Sequence, residues 1–381
     1  MTRALNTQRY SQTDYQTFAE TAIKTPISVE ILFDILRRPR FAGTIGERYV
    51  IDTYLTTLPG AVEDDVGNIW VTVDKADGGQ PSTLFSAHTD TVHKAKATEG
   101  YKLSIKKAWV EVKGGGVLGA DCGTGIWLML NLIAAKVPGV YIFHREEEIG
   151  GNGSKHIATK YAKVIEGMGL KRCIAFDRKD VNHIITHQGG ERCCSDEFAE
   201  ALANALNTGT GMTFHGDDTG SFTDSANYTD LIGECTNLSV GYYDQHTQQE
   251  CQDLSFCTRL AVQLAKVDWE NLPTKREPGE EDPEALKWNN WASSYRTGGS
   301  YSSYYGGGRL DDHDDPLYTA PGKDSGRRHI QHDFDKMADL IAANSGEVAD
   351  MLEQLGYDLD SLATELMCTY DCDLEHMWRG K

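Results

Sequence analysis

The sequence predicts an α/β fold with a mixed, largely parallel central sheet flanked by helices, and three observations carry that prediction. Short apolar runs recur, and several end on an acid or a histidine. Thr83-Leu84-Phe85-Ser86-Ala87 leads into His88, Val140-Tyr141-Ile142-Phe143 into Glu146-Glu147-Glu148, and Cys173-Ile174-Ala175-Phe176 into Asp177. A further run, Leu238-Ser239-Val240-Gly241-Tyr242-Tyr243, leads into the loop carrying His246. Segments of helical spacing alternate with these runs, which is the pattern of strands joined by crossover helices. The helix expected over residues 124–136 is apolar almost all round, as a buried helix is.

In chain order, the first segment reads as two helices, over residues 28–37 and 46–58, followed by a hairpin at Gly67-Asn68 into Ile69-Trp70-Val71-Thr72-Val73. Trp109-Val110-Glu111-Val112 reads as a strand, and residues 196–207 as an amphipathic helix with Ser195 as N-cap and acids in its first turn. His183 and His187 fall on a strand-like run and are read as ordinary core or surface histidines. Composition changes after Trp269. Residues 1–270 are expected to form the catalytic domain, 271–328 a linker rich in Gly, Ser, Tyr, Pro and charge, and 329–381 a helical tail. Short helices of that kind bury their faces only with help from the main domain, another subunit or a different protein.

A net charge of -20 opposes binding to phosphate backbones, so nucleic acid is not an expected partner. The amino terminus lacks the apolar core of a secretory signal, and the longest nearly apolar run, residues 126–135, is too short to span a bilayer. No membrane association and a cytoplasmic location are expected. The nine cysteines show no disulfide spacing, in keeping with a reducing compartment.

In open α/β sheets ligands gather outside the carboxyl ends of the strands, so the acids and histidines that follow these runs should meet at one site. Imidazole nitrogen and carboxylate oxygen suit zinc, and two-metal hydrolases share one carboxylate between ions roughly 3.5 to 4 Å apart. Asp121, flanked by glycines in Gly119-Ala120-Asp121-Cys122-Gly123, is the candidate for that bridge. Asp90 lies on the same face of an extended chain as His88 and is placed to orient its ring. Of two adjacent glutamates, one should bind metal and the other act as general base.

Taken together, His88-Thr89-Asp90, Gly119-Ala120-Asp121, Glu147-Glu148-Ile149-Gly150, Asp177 and His246 resemble the co-catalytic dizinc exopeptidases, over roughly residues 28–265. The resemblance implies that His88 and Asp177 hold one zinc and Glu148 and His246 the other, with Asp121 bridging and Glu147 as general base. Glu146 is then the spare acid. Cobalt or manganese would suit the same donors. Two departures stand out. Cys122 replaces a frequent second acid, and the interval from Asp177 to His246 leaves no room for an inserted lid domain.

The implied function is peptide hydrolysis, first of all as an aminopeptidase on a peptide or aminoacyl substrate. Carboxypeptidase, dipeptidase and N-acyl-amino-acid deacylase chemistry remain open on the same site, and a binding or assembly module using the C-terminal helices, as homo-oligomer or with a partner protein, is the reading from another class. A rival motif, Gly114-Gly115-Gly116-Val117-Leu118-Gly119, fits G-x-G-x-x-G, but the expected helix starts several residues after its last glycine. Phe222-Thr223-Asp224-Ser225 resembles a family loop beside the substrate pocket and receives no role. Cys368, Cys372 and His376 are read as one face of a helix.

Overall fold

The computed structural model describes residues 23–93 and 100–279, so the predicted tail, its cysteine and histidine face, and most of the linker lie outside the described residues. Helix α1 (Val29–Leu36) starts at Ser28, whose hydroxyl accepts the Glu30 amide. Helix α2 (Ile45–Val50) runs into a π-helical turn at Ile51–Leu55. Strands β1 (Val62–Glu63) and β2 (Ile69–Val73) form the predicted hairpin, with Val62 opposite Trp70. Then follow β3 (Thr83–His88), β4 (Leu103–Lys106), β5 (Trp109–Val112), α3 (Ala120–Ala134), β6 (Gly139–His144), α4 (Asn152–Lys160), α5 (Ala162–Gly167) and β7 (Arg172–Arg178). The chain continues through β8 (His183–Ile185), β9 (His187–Gln188), β10 (Glu191–Arg192), α6 (Asp196–Asn207), β11 (His215–Asp217), β12 (Glu234–Ser239), β13 (Tyr242–Tyr243), β14 (Cys251–Asp253) and α7 (Leu254–Leu264).

Eight strands form the main sheet in the order β1-β2-β6-β3-β7-β12-β8-β11. Its centre, β6-β3-β7-β12, is parallel throughout, while β2 and β8 pair antiparallel to its two sides. Alternate residues serve opposite faces. Leu84, Val140, Ile142 and Cys173 pack with Ile157 of α4 and Ile165 of α5, whereas Phe85, Tyr141, Phe143 and Phe176 pack with α1, α3 and α7. Both faces are covered, which is why these strands read as continuous apolar runs.

A second sheet, β13-β14-β5-β4, is wholly antiparallel. The run 238–243, read as one strand, is divided between the two sheets. Gly241 lies between β12 and β13 at φ 90°, a conformation an L side chain rarely adopts, and the chain changes sheets there. Helix α3 lies directly on β3 and β7, because a Cβ on Gly125 would stand 2.4 Å from the Phe176 carbonyl oxygen. Residues 178–245 complete the sheet edge and α6, with no inserted domain among them.

Packing continues past residue 270. The Glu234 carboxylate accepts the amides of Lys275 and Arg276, and the buried Arg276 guanidinium donates to the carbonyls of Thr229 and Gly233. Residues 271–279, which composition places in the linker, are held on the domain by main-chain and guanidinium hydrogen bonds that composition does not encode. No described helix is long and apolar enough to cross a membrane.

Candidate metal centre

Three parallel strands end on one side of the sheet and deliver the first donors. His88 closes β3, Asp177 is the penultimate residue of β7, and Glu147 and Glu148 sit in the loop after β6. The His88 ring is 1 % exposed, with Nε2 3.5 Å from Asp177 Oδ1 and Nδ1 3.4 Å from Asp90 Oδ1. The latter contact is longer than the bonds that Asp90 makes elsewhere. Its two oxygens accept the amides of Glu147 at 3.1 Å and Glu148 at 3.2 Å. One buried carboxylate therefore fixes both the imidazole-bearing strand end and the glutamate loop, a double role that i, i+2 spacing alone does not reveal.

Glu146, the spare acid, adopts φ 61° and accepts from the Asn152 amide side chain at 3.1 Å, so it shapes the turn behind its neighbours. Asp121 lies in the first turn of α3. His246, on the loop between β13 and β14, approaches it from the second sheet: Nε2 is 2.9 Å from Asp121 Oδ2 and 3.1 Å from Glu148 Oε1. This histidine is 43 % exposed and has φ 63°, an uncommon conformation for a non-glycine residue.

Three sets of side chains can each bring ligand atoms within 4.8 Å of one another: His88 with Glu147 and Glu148, Asp121 with Glu148 and His246, and His88 with Asp121 and Cys122. Asp121 belongs to the His88 group and to the His246 group, as a shared carboxylate would. Asp177 reaches the cluster through His88, and Asp90 supports it from behind. All seven sequence candidates, His88, Asp90, Asp121, Glu147, Glu148, Asp177 and His246, thus meet in one place.

The charges do not balance there. Burial, opposed by the nearby His88 charge and reinforced by Asp177, Asp224 and Glu148, pushes the Glu147 carboxyl well above the ordinary carboxylate range. Burial likewise pushes Glu148 up to about 7, although its contact with His246 pulls the other way. His246 itself is pushed up to about 11, because the Asp121 and Glu148 carboxylates overcome the burial that would lower it. Burial also opposes the charged His88 ring, but the neighbouring Cys122, Asp177 and Asp90 raise it well above the ordinary histidine range. Glu148 Oε1 is buried without a well-formed hydrogen bond. Clustered carboxylates that hold protons or borrow an imidazolium are suited to a divalent cation, and the mixed nitrogen and oxygen donors fit zinc, cobalt or manganese.

The second sheet also supplies a part that sequence reading missed. Glu250 sends its buried carboxylate into the N-terminus of α3, accepting the amides of Leu118 at 2.7 Å, Gly119 at 3.1 Å and Ala120 at 2.7 Å. This settles the glycine motif on different grounds from spacing. The helix begins at Ala120, directly after Gly119 and not at residue 124, so the glycines do run straight into a helix. What excludes a phosphate site is that an internal anion already occupies those amides, and that β5 belongs to the antiparallel sheet.

Arg40 is fully buried beside the site, donating to the carbonyls of Ile35, Thr89 and Gly119 and to Cys122 Sγ at 2.8 Å. It ties α1, the end of β3 and the start of α3 together. Burial pushes the Cys122 thiol up in spite of the guanidinium, so the departure at this position is a packed thiol.

An open cleft of about 550 Å³, measured out to solvent, exposes the cluster. Its walls include His88, Asp121, Glu147, Glu148, Asp177 and His246, together with Arg178, Lys179, Ile185, Phe222, Asn237, Tyr242 and Gln245. Asn237 accepts the Asp177 amide through its side-chain oxygen at 3.0 Å, and the Tyr242 hydroxyl donates to the Asp177 carbonyl at 3.0 Å. Phe222 therefore does lie beside the pocket, as its loop motif suggested, while Asp224 is buried behind it, 3.4 Å from His144.

No protein-family profile matches the sequence, and no curated protein does. Among solved structures, the fold is similar to aminopeptidase PepT from Bacillus cereus ATCC 10987, at TM-score 0.54 and 16% identity over 64% of this chain and 99% of that one. It is also similar to a tripeptidase from Staphylococcus aureus subsp. aureus mu50, at TM-score 0.53 and 14% identity over 62% of this chain and 96% of that one. The fold is that of the zinc exopeptidases. Within this fold the site occupies the carboxyl ends of the parallel strands, where ligands of open α/β sheets are bound. Of the residues that sequence reading passed over, Arg178 and Lys179 follow Asp177 directly and could have been found from that adjacency. Glu250 sits in the polar run Gln248-Gln249-Glu250-Cys251-Gln252, where nothing distinguishes it from a surface acid.

Proposed function

We propose that this chain is a metal-dependent exopeptidase that hydrolyses peptide bonds as an aminopeptidase. The observation that carries the reading is the position of Asp121, shared between a group containing His88 and the group containing Glu148 and His246, with Glu147 grouped with His88 and Glu148. In this reading His88 and Asp177 hold one cation, Glu148 and His246 a second, and Asp121 contributes to both. Zinc is the proposed metal, with cobalt or manganese accepted by the same donors. Bound there, the pair would polarise the scissile carbonyl as a Lewis acid and supply an acidified water.

The remaining work falls to side chains. Asp90 orients the His88 ring and pins the amides of Glu147 and Glu148. Glu147, held close but left out of the pair, takes a proton from the attacking water and passes it to the leaving amine, work to which a carboxyl of raised pKa is suited. A cytoplasmic setting is supported by the seven described cysteines, all of them free thiols.

The test joins metal analysis to a peptide screen. The purified chain should carry transition metal and cleave peptides with a free amino terminus in preference to N-blocked ones. A chain that binds no such metal and cleaves neither kind would overturn the proposal, and cleavage confined to blocked peptides would move it to a deacylase or carboxypeptidase.

A further inference from the structure

Resting on the peptidase reading, we propose that Lys179, with Arg178 beside it, forms a subsite for a substrate carboxylate. Both residues line the cleft that exposes the metal-ligand candidates, directly after Asp177 at the end of β7. Lys179 makes no side-chain hydrogen bond or ion pair among the described residues. Its backbone carbonyl accepts the Ser239 hydroxyl at 2.6 Å, which fixes the main chain beneath a free ammonium group. In a chain of net charge -20, a cation that lines an acidic cleft and has no counter-charge among the described residues is a local reversal of sign.

Arg178 is the fixed half of the subsite. Its guanidinium contacts the His183 ring at 3.4 Å, the Thr219 carbonyl at 3.4 Å and hydroxyl at 2.9 Å, and the Asp217 carboxylate at 3.6 Å. These four contacts leave at least one of the five guanidinium N–H groups for a ligand. Asn237 and Gln245, on the same walls, add neutral donors. A carboxylate is the complementary group, because an amine or a neutral side chain would leave the Lys179 charge unanswered. That carboxylate could be the C-terminus of a di- or tripeptide or the side chain of an acidic residue.

The experiment uses the metal-loaded full chain and two matched substrate pairs. Leu-Gly-Gly against its C-terminal amide reads the terminal carboxylate, and glutamyl against glutaminyl anilide reads the side chain. In at least one pair the acid should be preferred about fivefold, the size of one partly exposed ion pair at the upper end of its range. That preference should fall towards unity in Lys179→Met and reverse in Lys179→Glu. The pair that responds identifies the source of the carboxylate. Calorimetric binding of glycylglycine against its amide, and of glutamate against glutamine, reads the same preference without turnover. Preferences that neither variant shifts, or a neutral substrate favoured in both pairs, would overturn the subsite. If no peptide is cleaved at all, the peptidase reading fails by itself, and the binding measurements still decide the subsite.

Discussion

The two sheets contribute to the candidate centre in unlike ways. The parallel block holds His88, Asp90, Asp177 and the glutamate loop by strand ends packed on both faces, and its histidine is 1 % exposed. The small antiparallel sheet offers His246, 43 % exposed and in a left-handed conformation, and sends Glu250 inward to hold the helix that carries Asp121. One region builds a rigid floor and the other closes it from the solvent side. Donors from the first should therefore matter to stability through buried packing, and His246 mainly through the charge it sets against Asp121 and Glu148.

The largest effect expected is on Glu147, which belongs to the floor but holds no ion in the proposed arrangement. Glu147→Gln should lower kcat by about 10²- to 10⁴-fold, the range of general acid–base contributions, while metal content stays unchanged. Steady-state cleavage of an aminoacyl anilide and metal analysis on one preparation check both halves. Near-normal turnover would refute the role of this residue.

The next effect separates the two histidines. His246→Ala should cost the metal held by Glu148 and His246 and lower the thermal midpoint of the metal-free chain only through the ion-pair partner that Asp121 and Glu148 lose, since the half-exposed ring leaves little cavity. His88→Ala removes a buried ring and should lower that midpoint as well. Metal stoichiometry and thermal unfolding of both variants, with and without chelator, would break the comparison if the two behaved alike.

Glu250→Ala tests the inward half of the small sheet. Three helix-end amides lose their acceptor, at a cost of about 1–3 kcal/mol for each that stays unpaired, and Asp121 is left on a looser helix. Unfolding should occur at lower denaturant concentration and metal affinity should weaken, whereas Glu250→Gln, which keeps one carbonyl oxygen, should lie between this variant and the parent.

A last comparison is a pH dependence inside the floor, which needs no change at the donors themselves. Burial, helped by the His88 charge, pushes His144 down to about 3, and the ring bonds to the Tyr228 hydroxyl at 2.7 Å. A depressed folded-state pKa means the neutral ring is favoured by folding, so its contribution is complete above the unfolded value near 6.5 and is lost as pH falls from there towards 3. Between pH 6 and pH 4 the slope should be about 1.4 kcal/mol per unit from this group, measured as denaturant midpoints and flattened in His144→Asn.

Much of the floor can be read from sequence because parallel strands buried on both faces are continuous apolar runs, and such strands all end on one side. The positions of His88, Glu147, Glu148 and Asp177 follow from that regularity. The second sheet is less legible. Residues 238–243 look like one strand until Gly241 turns the chain, and the true start of α3 depends on Glu250, whose contact with Ala120 spans 130 positions. The clamp made by Asp90 on two amides is equally hidden, since main-chain donors carry no side-chain signature.

Gly125 shows how narrow the tolerances are. With the Phe176 carbonyl oxygen 2.4 Å from where a Cβ would stand, even alanine there would act as a wedge between helix and sheet. Every donor could then remain in place along the chain and the centre still fail to assemble, so inactive sequences need not show a single altered acid or imidazole.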